Sequence, residues 1–240
     1  MRSVEDFLLD LAAATASLTS RTSKIIEAEA RGASLLPGWT RGHVLTHLAR
    51  NAEGGARLLS WARTGVPSYE YLSVAARAAA IENGANRPAS VLAADVAATA
   101  AAFTDAAMAM PADAWKNPVT WTTGQDDPAE NVVRSRLAEV LIHHVDLDLG
   151  YGPGGWPAAF VSEMLPAAAG RVNERALAPL SAQLTATDTG QSFRVGGEAP
   201  ERVSGTAAEL LAWLLGRSDG AGLDRDKLGP LPYVASIYYT

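Results

Sequence analysis

Histidine is the side chain most often found holding a metal ion or moving a proton near neutral pH, and this 240-residue chain confines all 4 of its histidines to two short motifs. The first is Thr40-Arg41-Gly42-His43-Val44-Leu45-Thr46-His47, and the second is Glu139-Val140-Leu141-Ile142-His143-His144. There is no cysteine, which excludes disulfides, thiolate-ligated zinc and an intrinsic thiol nucleophile. A metal site built from nitrogen and oxygen ligands is the economical reading, and any reactive sulfur has to arrive with another molecule.

Helical phase selects among the candidates. At about 100° per residue, Glu139 and His143 differ by about 40° and stand one above the other on a single helix face. His144 lies about 100° round from His143, so the two adjacent histidines cannot both ligate one ion without distortion. Val132, Val133, Leu137, Val140, Leu141, Ile142, Val145 and Leu147 surround this helix nearly completely and mark it as a central, buried element. A carboxylate and an imidazole buried there need a partner. On the first motif's helix, the apolar stripe of Val44, Leu48, Ala52, Gly55, Leu59 and Ala62 lies nearer to His47 than to His43. His43, in the first turn after the Thr40 cap, reads as a rim residue or one that supports a ligand. A single Glu-x-x-x-His pair recurs by chance; the second histidine pair, facing the apolar side of another long helix, is what gives the set weight. His47, Glu139 and His143 form three ligands suited to Zn²⁺, or less so to another divalent transition ion. Three ligands leave a position open, as catalytic sites do.

The elements that must position these residues follow from periodicity. A first helix is predicted from about Ser3 to Glu29, with Phe7, Leu8, Leu11, Ala14, Leu18 and Ile25 at helical spacing. A second runs from the Thr40 cap to Gly65-Val66-Pro67, and alanine-rich sequence from Ser73 to Met110 forms one broken helix or two around Asn83-Gly84 and Arg87-Pro88. After a loop with Trp115, Trp121 and Pro128, a further helix spans about Glu130 to Leu149, and the whole suggests a four-helix bundle. Tyr151-Gly152-Pro153-Gly154-Gly155 reads as the boundary between domains 1–150 and 151–240. Beyond it come a helix from about Ala158 to Leu177, strands at 181–187, 191–195 and 201–204, and a helix from Ala207 to Gly216 that Thr206 and Glu209 cap. The second domain is therefore α+β.

Composition bounds the function classes. At 48% hydrophobic and 19% charged the chain buries a sizeable core. Its net charge of −6 offers no general attraction to nucleic acid or an anionic membrane. No uncharged apolar run reaches the roughly 18 to 20 residues of a spanning helix, and Asp6 and Asp10 interrupt a signal-peptide reading. A soluble cytoplasmic protein is expected. Trp39, Trp61, Trp115 and Trp121 read as core filling rather than pocket lining. Arg50, Arg57, Arg63, Arg77 and Arg87 read as solvated helix face, with one or two available for substrate carboxylates.

Leu36 to Asn51, Arg136 to Leu147, and Ala212-Trp213-Leu214-Leu215-Gly216-Arg217 together resemble the mycothiol-dependent maleylpyruvate isomerases. The resemblance covers essentially the whole chain. It implies a multi-domain fold: an all-α DinB-like four-helix bundle that carries a divalent metal, usually zinc, followed by a small α+β domain resembling sterol carrier proteins. The family's ligands fall on His47, Glu139 and His143, and its important C-terminal arginine on Arg217. By itself Arg217 reads only as a favourable partner of a helix dipole. The resemblance implies that it reaches from the second domain to the metal site and holds a substrate carboxylate.

The implied cofactors are the metal and mycothiol, whose thiol the cation would activate. Addition of the thiolate makes the cis double bond of maleylpyruvate single, and rotation followed by expulsion leaves fumarylpyruvate. Charge on the former carbonyl oxygen would be stabilised by the metal or Arg217. The implied partners are thus a small-molecule substrate and mycothiol, with no nucleic acid or membrane, and a monomer suffices. A mycothiol S-transferase, or a non-catalytic protein that binds a small ligand, remains a rival. A metal-dependent hydrolase lacks an evident general base beyond Asp146, and no residue is singled out for the sugar part of mycothiol.

Overall fold

A computed structural model describes residues 2–174, 181–198 and 200–225. They form two compact units that divide between Leu149 and Gly150.

In the first unit, α1 (Val4–Thr22) begins at a capping box in which Ser3 and Asp6 satisfy each other's backbone N–H groups. Phe7, Leu11, Ala14 and Leu18 form its buried stripe. The long helix expected to Glu29 breaks: α1 ends at Thr22, and a short α2 (Glu27–Arg31) follows. The hydroxyls of Thr19, Thr22 and Ser23 all bond to carbonyls three or four residues back. Such local bonds compete with regular helix, and the break turns Ile25 into the core.

The third helix, α3 (Arg41–Thr64), starts at the Thr40 cap and stops at Gly65, whose φ of 74° only glycine adopts without cost. The alanine-rich stretch forms two helices, α4 (Val74–Gly84) and α5 (Ala89–Met108), separated at Pro88. Among the described residues α5 is the one helix long and apolar enough to cross a membrane. Within it, however, Asp95 pairs with Arg50 and Arg87, and its buried face packs on α3. The loop after α5 holds an unforeseen hairpin, β1 (Pro118–Thr120) against β2 (Asp126–Pro128), too short for strand periodicity to register. It leads into α6 (Glu130–Asp146), buried almost all round.

These helices close on one another: α3 packs against α5 and α6, and α1 against α6 and α5. Two contacts set the α3–α6 register that the histidines depend on. The buried Arg136 guanidinium of α6 donates to the Leu48 carbonyl at 2.9 Å and to Asn51 Oδ1 at 2.8 Å, both on α3. Arg41 at the start of α3 donates to the carbonyls of Leu147 and Asp148 beyond the end of α6.

Close approach is supplied by glycine. A Cβ on Gly55 would stand 2.6 Å from Phe103 of α5, and one on Gly42 would strike the carbonyl oxygen of Ala85 at the end of α4. Backbone cannot swing aside as a side chain can. Gly42→Ala is therefore expected to destabilise the protein by about 1–3 kcal/mol, read as a lower urea midpoint at unchanged slope; an unshifted midpoint would contradict this packing.

The second unit starts with α7 (Ala158–Glu174); the expected extension to Leu177 lies outside the described residues. Its four-stranded sheet has the order β4-β3-β5-β6, from β3 (Ser181–Ala186), β4 (Ser192–Gly196), β5 (Glu201–Gly205) and β6 (Asp224–Arg225). β3 runs antiparallel to β4 and parallel to β5. Ala182, Leu184 and Ala186 point inward and alternate with half-exposed neighbours. The helix α8 (Ala207–Leu214) is capped by Thr206 and Glu209 and packs against α7. The short β6 was not anticipated.

Candidate metal centre

Helix α3 delivers His47, and α6 delivers Glu139 and His143, to one enclosed point. His47 Nε2 lies 2.7 Å from Glu139 Oε2 and 3.0 Å from His143 Nε2, and His143 Nε2 lies 3.1 Å from the same carboxylate oxygen. All three side chains are buried. On its far side the His143 ring is held through Nδ1 by Asp146 Oδ2 at 2.8 Å. That bond fixes the ring's orientation and, in the neutral ring that a metal would require, leaves Nε2 as the lone-pair nitrogen, as supporting carboxylates of metal-bound histidines do.

Burial would favour the neutral acid of Glu139, but the His143 and His47 imidazoles, both within hydrogen-bonding distance, outweigh it and hold its carboxyl well below the usual range. Burial lowers His47 to about 4, with His143 adding repulsion. For His143 burial also favours the neutral ring, but the Glu139 carboxylate, aided by Asp146, prevails and raises it to about 9. The Glu139 carboxylate and a protonated His143 thus pair inside the site, and a metal cation would take the place of that proton.

The donor set fits a divalent metal. Glu139 Oε1 is enclosed and, among the described residues, meets no hydrogen-bond partner, a costly condition for a carboxylate oxygen. Two imidazole nitrogens aimed at each other are an arrangement that a shared cation about 2 Å from each would relieve. The three ligand atoms lie within 4.8 Å of one another.

The sequence matches the family model of the mycothiol maleylpyruvate isomerase N-terminal domain over residues 11–148. The chain belongs to that family. Crystal structures of the mycothiol-dependent maleylpyruvate isomerase and of a histidine-to-alanine mutant of it are also similar, each with a TM-score of 0.90 at 25% identity over 97% of this chain and 98% of the other. No curated protein matches the sequence.

Within this member of the isomerase family the remaining expected residues separate clearly. His43 stays off the cluster: its Nδ1 accepts the Thr40 backbone N–H at 3.1 Å, so it takes the glutamate's part in a capping box, and its Nε2 lies 3.2 Å from Glu82. His144 is buried elsewhere on α6, where burial, and then the charge of Arg21, lower its pKa to about 4. Trp115 and Trp121 are core, whereas Trp39 is half-exposed and stands edge-on to His47 with centroids 5.8 Å apart. Arg77 departs from the solvated-face expectation, since its Nη2 reaches to 3.2 Å from His47 Nδ1. Its signal in the sequence was only a charge among alanines.

Arg217 belongs to the second unit and is 8% exposed. Its backbone N–H bonds to the Ala212 carbonyl at 2.8 Å and that of Gly216 to Trp213 at 3.0 Å, with Gly216 at φ 69°. This is a Schellman ending of α8, which explains why glycine must precede the arginine. The Arg217 Nη1 donates to the Leu215 carbonyl at 2.7 Å.

The neutral state of His144 has a stability consequence. Its unfolded pKa of about 6.5 exceeds the folded value, so the unfolded chain binds more protons between the two and stability falls as pH drops from about 6.5 to about 4. His144→Asn should flatten that part of the profile, as read from denaturant midpoints at pH 7 and 4.5. Parallel profiles for variant and wild type would contradict the assignment.

Proposed function

We propose that this chain is a mycothiol-dependent cis–trans isomerase that converts maleylpyruvate to fumarylpyruvate in the breakdown of aromatic acids such as gentisate. The observation that carries the reading is the convergence of His47, Glu139 and His143 within the domain that defines the family. The first unit is read as a DinB-like four-helix bundle spanning 1–150 and the second, 151–240, as a sterol-carrier-like α+β domain, in a cytoplasmic monomer.

His47 and His143 would hold the metal through Nε2, and Glu139 through its carboxylate; the all-nitrogen-and-oxygen set suits Zn²⁺. With mycothiol present, such an ion supplies the lowered thiol pKa and the carbonyl polarisation that reversible addition to a conjugated double bond requires. Asp146 keeps His143 in the tautomer that ligates. The packed apolar residues around α6 exclude water, which strengthens every charge interaction at the site. Arg217 is assigned to binding a substrate carboxylate, a task that suits its planar fork of donors.

The rival S-transferase would use the same thiol but consume it. Titration of free thiol during turnover of maleylpyruvate separates the two: an isomerase leaves the mycothiol concentration unchanged while fumarylpyruvate accumulates. Loss of one thiol per molecule of substrate consumed would overturn the isomerase reading.

A further inference from the structure

The cluster's surroundings contain polar groups that contacts among the described residues leave unanswered. Besides Glu139 Oε1, the Ser135 hydroxyl and the Tyr71 hydroxyl are enclosed and, among the described residues, meet no partner at hydrogen-bonding geometry. Ser135 stands one helical turn before Glu139, as His143 stands one turn after it, so the three share a face of α6. Tyr71 comes from the segment between α3 and α4. Burial, followed by the charge of Glu70, pushes its phenol above the usual tyrosine range, while Arg77 pulls the other way. Tyr71 offers a phenolic O–H beside the cluster.

Arg77 stands next to it on α4, with its guanidinium carbon 5.8 Å from the Tyr71 ring centroid and Nη2 3.2 Å from His47 Nδ1. A neutral imidazole has one donor and one acceptor nitrogen. Once His47 gives its Nε2 lone pair to a cation, Nδ1 carries the proton, and the Nδ1–H and the Arg77 N–H become two donors facing one another. An acceptor oxygen placed beside them would accept from both. On the other side of the cluster that need is met by the Asp146 carboxylate at His143 Nδ1; on the His47 side the protein presents a cation. A guanidinium fork and a phenolic O–H at one place are the complement of a carboxylate.

We propose that Tyr71 and Arg77 form a carboxylate-binding wall beside the metal centre, which holds one carboxylate of an unsaturated dicarboxylic substrate. The inference rests on the isomerase reading for the substrate's identity, but on this chain's own geometry for the site. It assigns a binding task to two residues of the first unit, separate from that of Arg217.

The probe is maleate, a cis-unsaturated dicarboxylate, titrated calorimetrically into metal-loaded protein without mycothiol. Arg77→Gln is expected to weaken maleate binding by about tenfold or more, the equivalent of one charged hydrogen bond. Tyr71→Phe should weaken it by about three- to tenfold, and Arg77→Lys should fall between wild type and Arg77→Gln. Metal content and circular dichroism should stay as in wild type throughout, which a merely structural role would not predict. With mycothiol present, KM for maleylpyruvate should rise by the same factors while KM for mycothiol stays put. Wild-type maleate affinity in both Tyr71→Phe and Arg77→Gln would overturn the proposal, as would a wild type that isomerises maleylpyruvate but binds no maleate. A protein that binds maleate through these residues yet leaves maleylpyruvate unchanged would support the wall and refute the isomerase reading instead.

Discussion

Metal is expected to be lost from His47→Ala and from His143→Ala, falling from about one equivalent per chain to background by elemental analysis, with isomerisation falling alongside. Each change removes one of the three proposed ligand side chains, whose donor atoms lie within 4.8 Å of one another. Two remaining ligands do not hold a divalent ion against a chelator. The buried Glu139 carboxylate also loses one of the two imidazoles that hold it ionised, and breaking a buried pair costs about 3–5 kcal/mol. Lower thermal stability should therefore accompany the loss of metal. Asp146→Asn should act more mildly, because it removes the support of His143 rather than a ligand: about 10–100-fold weaker metal affinity in chelator competition. Full occupancy in both alanine variants would refute the ligand assignment.

Arg217→Ala should show the opposite pattern, with metal kept and turnover lost. A positioned guanidinium facing developing charge or a substrate carboxylate contributes about 10²–10³ in rate when removed, so kcat/KM should fall by about that much. The Schellman ending that fixes the Arg217 backbone depends on Gly216 and main-chain bonds, so it survives the change of side chain. Arg217→Lys keeps the charge without the fork and should recover only part of the activity. Wild-type kinetics in Arg217→Ala would remove its assigned role.

What could be read from sequence was whatever depends on period. Helical phase alone put His47, Glu139 and His143 on inward faces, and the structure brings those three within 3.1 Å of one another. Alternation marked β3, and the Thr206–Glu209 box marked the start of α8. What escaped depends on tertiary neighbours or on very short elements. The break after Thr22 follows from side-chain hydroxyls taking backbone carbonyls, a local competition that a long apolar period hides. The hairpin of β1 and β2 is three residues a side. Arg77 and Tyr71 lie far from either histidine motif in sequence, and only the approach of α4 to α3 brings Arg77 to His47. Asp146 was visible as a carboxylate, but its task of orienting His143 rests on the 2.8 Å contact.

The most direct test of the central claim is the rate at which maleylpyruvate becomes fumarylpyruvate, followed by absorbance with the metal-loaded protein at rising mycothiol concentration. The account predicts no turnover above the uncatalysed rate without thiol, saturable turnover with it, and loss of that turnover on chelation. Isomerisation that runs equally well in the absence of any thiol would contradict it.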